Sequence, residues 1–135
     1  MPVSPYLLQV TSRPKIVSNR LWQEWYTEEH LPDLVNSKTS TNATFYYELP
    51  LDPSGVLPSS RQHLALYQTE YAEPLNTENY TKLRTTSTLF EKENGTDNIS
   101  DNGDFDARNY ELIQEFDPVP VGNSKLVQKH WPPRL

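Results

Sequence analysis

One histidine in this chain sits where it could move protons. His30 lies in residues 19–35, NRLWQEWYTEEHLPDLV, close behind Trp22, Trp25 and Tyr26. The pattern predicts a helix over 19–30 that stops in a short turn at Leu31–Pro32, because proline disfavours helical backbone in the residue before it. Residues four apart share a helix face. That spacing predicts one stripe of Trp22, Tyr26 and His30 beside a second of Leu21, Trp25 and Glu28 or Glu29. His30 is then delivered at a helix C-terminus, where the dipole modestly favours its protonated form. The plain alternative is that the aromatics fill a core and the histidine caps the helix. A flat aromatic wall beside an ionisable imidazole nevertheless suits an apolar ligand, aromatic or polyketide-like.

The chemistry such a group supports is general acid–base. An imidazole can take a proton beside a carbonyl and return it to a leaving hydroxyl. A phenol or carboxylic acid can hydrogen-bond the developing enolate. Tyr26 is one helical turn away, and Asp33 is placed to orient the imidazole. Tyr46, Tyr67 or Tyr110 would reach in from strands, with Gln68 and Glu111 as further polar candidates. The expected catalytic set is His30, Tyr26, Asp33 and Tyr67. The expected substrate-binding set is Trp22, Trp25, Tyr46, Tyr110 and Gln68. The ordinary alternative for each tyrosine is a strand aromatic packed under a helix, and for Asp33 a solvated turn residue. Which strand face lines the cleft is open, since alternation can slip by one.

Other chemistries find little support. The chain has no cysteine, no glycine-rich phosphate loop and no G-x-S-x-G. A metal needs clustered ligands. Glu29 points about 100° away from His30 on a helix, and His63 and His130 are remote in sequence. Residues 92–104 superficially suggest a calcium loop but lack the D-x-D-x-D-G frame and closing glutamate. No metal and no cofactor are expected.

The elements that must position these residues fit one domain. The 135 residues suffice for one core. Hydrophobic residues make up 35% and mean hydropathy is −0.75, so a core completed by association is plausible. Net charge is −6 with scattered Lys and Arg, which argues against nucleic acid and anionic membranes as partners. No bilayer-spanning run or signal peptide is read, and a cytoplasmic location is expected. The absence of cysteine accords with a reducing compartment. Four N-x-S/T sequons, at Asn42, Asn79, Asn94 and Asn98, are read as unmodified.

Residues 6–11 predict a first strand, with Tyr6, Leu8 and Val10 on one face. Ser18 or Asn19 is the expected N-cap of the helix. Residues 43–49 predict a second strand, with Phe45 and Tyr47 on its more buried side. Three prolines and a glycine between 49 and 60 mark a loop. Residues 63–71 predict a third strand, with Ala65, Tyr67 and Thr69 sharing a face. Residues 74–90 predict a second helix of weak, threonine-rich propensity. Residues 91–104 are expected as a mobile loop, and 105–116 as a fourth strand. The breaker-rich tail 119–135 ends in KHWPPRL and is expected to dock on its own domain or a partner subunit. The order β-α-β-β-α-β predicts an α+β, ferredoxin-like domain over 1–118: an antiparallel four-stranded sheet with two helices on one face. The other face invites a second copy.

With these elements placed, VTSRP, then W-x-x-W-Y-x-x-E-H-L-P-x-L, then F-Y-Y-E-L and DARNYELIQEF resemble the EthD-type branch of the dimeric α+β barrel superfamily. The most specific part is Glu29-His30-Leu31-Pro32. The resemblance implies a homodimer with facing sheets and helices outside. It also implies a small cofactor-free enzyme of fungal polyketide or related secondary metabolism: a dehydratase, decarboxylase or cyclase. Only His30 is carried over as a catalytic residue. Fold alone does not decide the reaction. The sequence therefore predicts acid–base dehydration, cyclisation, isomerisation or decarboxylation of a small apolar metabolite. The alternatives are a non-catalytic binder of hydrophobic metabolites and a cofactor-free oxygenase.

Overall fold

The computed structural model describes residues 3–116. The chain runs β1 (Tyr6–Pro14), α1 (Asn19–Trp25), a π-helical turn (Tyr26–His30), α2 (Leu31–Asn36), β2 (Thr44–Tyr47), β3 (His63–Thr69), α3 (Glu78–Thr81), α4 (Ile99–Asn102) and β4 (Gly103–Glu111). Two 3-10 turns, Pro74–Asn76 and Thr88–Glu93, lie between β3 and α4. The expected docking tail 119–135, with His130, lies outside the described residues.

Alternation decides the sheet. Leu8, Val10 and Ser12 of β1 are buried, whereas Leu7, Gln9 and Thr11 keep partial exposure. In β3, His63, Ala65, Tyr67 and Thr69 are all fully buried on the same side. Register joins these sets: Leu8 pairs with Tyr67, Val10 with Ala65 and Ser12 with His63. The four strands pair antiparallel in the order β2-β3-β1-β4. The domain is an α+β fold with a β-α-β-β-α-β-like element order. The helices and the chain between β3 and β4 cover the face of Leu8 and Tyr67. Among the described residues no helix is long and apolar enough to cross a membrane.

The first helix departs from expectation. It does not stop at Pro32 but continues to Asn36. The reason is the π-helical turn, closed by the Leu31 N–H donating to the Tyr26 carbonyl five residues back. Pro32 then falls in the first turn of α2, where a missing N–H costs least. The wider turn also rotates the residues C-terminal to it, so Trp25 rather than Trp22 ends up against His30. Ser18 is the N-cap: its hydroxyl accepts from the Leu21 N–H at 3.2 Å.

The expected second helix over 74–90 is not continuous. Thr77 and Ser87 cap the short segments that replace it, accepting from the Tyr80 and Leu89 N–H groups. Hydroxyl side chains compete with helix propagation in this way, and the threonine-rich run supplies many of them. Residues 91–104, expected as a mobile loop, contain the end of a 3-10 turn and all of α4. Buried Asn102 ties that segment together by donating to the Thr96 and Asn98 carbonyls at 2.7 and 2.8 Å. The fourth strand starts at Gly103 and ends at Glu111, earlier at both ends than the predicted 105–116.

The core is aromatic. Trp22, Trp25, Tyr26, Tyr67 and Phe90 are all buried together with Leu8 and Leu34. Trp22 and Trp25 rings lie 5.0 Å apart, and each lies within 6 Å of Phe90. Such tilted and edge contacts add to area burial. Gly103 lets β4 approach this cluster, because a Cβ there would collide with the Trp22 ring.

Candidate functional site

A cavity of about 300 Å³ opens between the sheet and the helical layer. Leu8 and Val10 of β1, Tyr67 of β3, and Phe105 and Ala107 of β4 form its floor. Trp25, His30 and Leu34 form one wall, and Leu75, Tyr80, Arg84, Thr85, Ile99 and Ser100 close the rest. The lining is mostly apolar, with a few polar groups converging, as small-molecule sites have.

His30 is held there by rings. Its imidazole stacks on Trp25 with centroids 4.6 Å apart and planes 21° apart. Tyr26 and Tyr67 meet it edge-on, at 5.3 and 6.5 Å. The imidazole makes no capping bond to the backbone, and His30 lines the cavity. Burial lowers its pKa to about 4, partly opposed by the Asp33 carboxylate. At pH 7 the ring is neutral. Tyr67, which also lines the cavity, is fully buried, and its hydroxyl has no hydrogen-bond partner among the described residues. Burial also raises the Tyr67 pKa well above that of a free phenol, so it stays a neutral donor. Tyr80 is raised for the same reason.

The remaining expected site residues divide by location. Trp25 lines the cavity, whereas Trp22 sits behind it with its indole N–H donating to Ser12 Oγ at 3.1 Å. Tyr26 does not line the cavity. Its hydroxyl lies 3.3 Å from Ser12 Oγ, its ring stacks on Phe45 at 4.3 Å, and burial raises its pKa. Tyr26, the residue that ends α1, thus packs in the core and does not line the cavity as expected. Asp33 does not hydrogen-bond the imidazole. Both of its oxygens accept from Arg84, Nε at 2.8 Å and Nη2 at 3.0 Å. Glu29 joins them, 3.5 Å from Arg84 Nη1.

Tyr46, Gln68 and Tyr110, expected to bind substrate, lie on the opposite face of the sheet. Tyr46 pairs with Leu64, and Leu7 pairs with both Gln68 and Tyr110. That face is the one turned away from Leu8 and Tyr67, so these three cannot share a ligand with His30. Gln68 accepts there from the Asn42 amide at 2.9 Å. Their alternation was legible, but nothing in a strand's own sequence says which face a helix will cover.

Several residues of this region escape sequence reasoning. Arg84 and Tyr80 reach the cavity from the broken second helix, and Phe105 from β4. The i, i+4 spacing of Tyr80 and Arg84 was a signal, weakened by the threonines around them. His63 is buried deeper along β3, outside the cavity. The Gln23 amide donates to its Nε2 at 3.0 Å, and its ring stacks on Phe45. Among the described residues no three His, Cys, Asp or Glu side chains gather closely enough to hold a metal ion.

No family model, no curated protein and no solved structure matches the chain.

Proposed function

We propose that this chain is a cofactor-independent enzyme that moves protons on a small apolar metabolite. The reaction class is dehydration, cyclisation, isomerisation or decarboxylation of a polyketide-like ketone. One observation carries the reading: His30 and Tyr67 line one mostly apolar cavity, the first neutral, the second with a buried hydroxyl that has no hydrogen-bond partner among the described residues.

In this mechanism a ring nitrogen of His30 takes a proton from the carbon next to the ligand carbonyl. The electron pair moves into that carbonyl, and the Tyr67 hydroxyl donates to the oxygen that becomes negative. The imidazolium formed is stabilised by the enolate, by Asp33 and by the stacked Trp25 ring. For dehydration, His30 returns the proton to a hydroxyl one carbon further, which leaves as water as the enolate collapses.

The E-H-L-P element and the sheet order 2-3-1-4 support placing the chain with EthD-type dimeric α+β barrels. We propose a homodimer formed through the open sheet face, where Leu7, Leu64 and Leu66 keep partial exposure. A second reading, a non-catalytic binder, draws on Asp33 being tied to Arg84 and not to the imidazole.

The test is hydrogen–deuterium exchange at the acetyl methyl of 2-acetonaphthone in D₂O, followed by proton NMR. Exchange catalysed by the protein and lost in His30→Ala supports the enzyme. Binding of the ketone without catalysed exchange favours the binder.

A further inference from the structure

The rim of the cavity carries a charge arrangement that bears on what can enter. Among the described residues Arg84 is the one cation of the lining, and it is half exposed. It is already occupied. Asp33 grips Nε and Nη2 in a two-pronged bond, and Glu29 lies beside Nη1. Of the three, only Arg84 lines the cavity; Asp33 lines the small recess beside it, and the two carboxylates offset the charge of Arg84 from behind. His30, the other basic group of the lining, adds no charge. The Glu29 oxygen nearest Arg84 is buried and makes no hydrogen bond among the described residues, so it acts on the guanidinium through charge alone.

We infer that the cavity selects neutral aromatic ketones and rejects the corresponding carboxylates, with the Glu29–Arg84–Asp33 cluster as the specificity determinant. This rests on the proposed use of the cavity as a ligand site, and it removes decarboxylation, whose substrate carries a carboxylate, from the proposed reactions. A carboxylate entering it would lose its water and meet, among the described residues, only a cation already paired with Asp33, with a second carboxylate, Glu29, beside that pair. To take a two-pronged hold on Nε and Nη2 of Arg84 it would have to displace Asp33. A neutral ketone needs only what the cavity offers: an aromatic wall at Trp25 and a hydroxyl donor at Tyr67. Selectivity here comes from the repulsive element as much as from the attractive one. The volume, at the low end of small-molecule pockets, limits the ligand to one or two rings.

The test is equilibrium dialysis at neutral pH of two ligands of matched shape, 2-acetonaphthone and 2-naphthoate, against the full-length protein. The expected result is a Kd at least roughly tenfold lower for the ketone. Asp33→Asn frees the guanidinium, and the preference should narrow or reverse. Glu29→Gln, which leaves the Asp33–Arg84 bond in place, should narrow it less and serves if the first variant does not fold. Naphthoate binding as tightly as the ketone in the natural protein, or a preference unmoved in both variants, overturns the inference. Binding of neither ligand overturns it together with the proposed function. Ketone preference without catalysed exchange leaves the selectivity standing and removes only the enzyme.

Discussion

Trp25 and His30 stack face to face across the π-helical turn, five residues apart, with ring centroids 4.6 Å from one another. A regular α-helix would carry residues five apart to different faces. The extra residue in the turn brings them together and packs the partly buried imidazole against the indole. Single π turns of this kind inside α-helices recur at functional sites.

That burial predicts how stability depends on pH. An unfolded imidazole has a pKa near 6.5, and folded His30 lies at about 4. Between those values the unfolded chain binds more protons. His30's contribution to stability is therefore complete above about pH 6.5 and is lost as pH falls to about 4, by up to about 3 kcal/mol in all. Urea unfolding at several pH values in this window should show the natural protein losing more stability than His30→Gln. His63, also lowered by burial, acts in the same direction and remains in both proteins.

Tyr67→Phe separates function from stability. The hydroxyl is buried without a partner among the described residues, so removing it should leave stability unchanged or raise it by up to about 1 kcal/mol. Catalysed exchange should fall by about 10²-fold or more, because the enolate loses its donor. Thermal melts and the exchange assay on the same preparation check both halves.

Tyr26→Phe and Ser12→Ala should do the reverse. Ser12 Oγ meets the Trp22 indole N–H and the Tyr26 hydroxyl in the core. Ser12→Ala leaves both without a partner and should cost roughly 2–4 kcal/mol, and Tyr26→Phe about 1 kcal/mol. Exchange per folded molecule should stay near the natural value in Tyr26→Phe. A hundredfold loss there would return Tyr26 to the mechanism.

Gly103→Ala tests the packing behind the cavity. The added Cβ would overlap the rigid Trp22 ring, which is itself fully buried. Overpacking of this kind costs typically about 1–3 kcal/mol. The expected result is a lowered denaturation midpoint with an unchanged slope.

Much of the sheet was legible because period-two alternation is a local signal. Leu8 and Val10, and Ala65, Tyr67 and Thr69, fall on the face their spacing predicts. The helix from Asn19 was legible from side chains spaced four apart, another local signal, but its passage through Pro32 was not. A π turn has no marker in composition, and proline is the usual stop signal. The second helix failed because propensity and capping compete there, and hydroxyl caps at Thr77 and Ser87 prevailed. At the candidate site, His30, Trp25 and Tyr67 were readable as residues of the right kind. Arg84 was not, because its bond to Asp33 spans 51 positions and depends on where a broken segment lies. Tyr26 was placed in the site by a regular helical period that the π turn interrupts.

Proton transfer at His30 is checked most sharply by the pH–rate profile of acetonaphthone exchange, measured for the natural protein and for His30→Asn. The rate should rise with an apparent pKa of about 4, as His30 loses its proton, and then stay level to neutrality. His30→Asn should show neither the rise nor the plateau. A profile that His30→Asn leaves unchanged would contradict a proton-transfer role for His30.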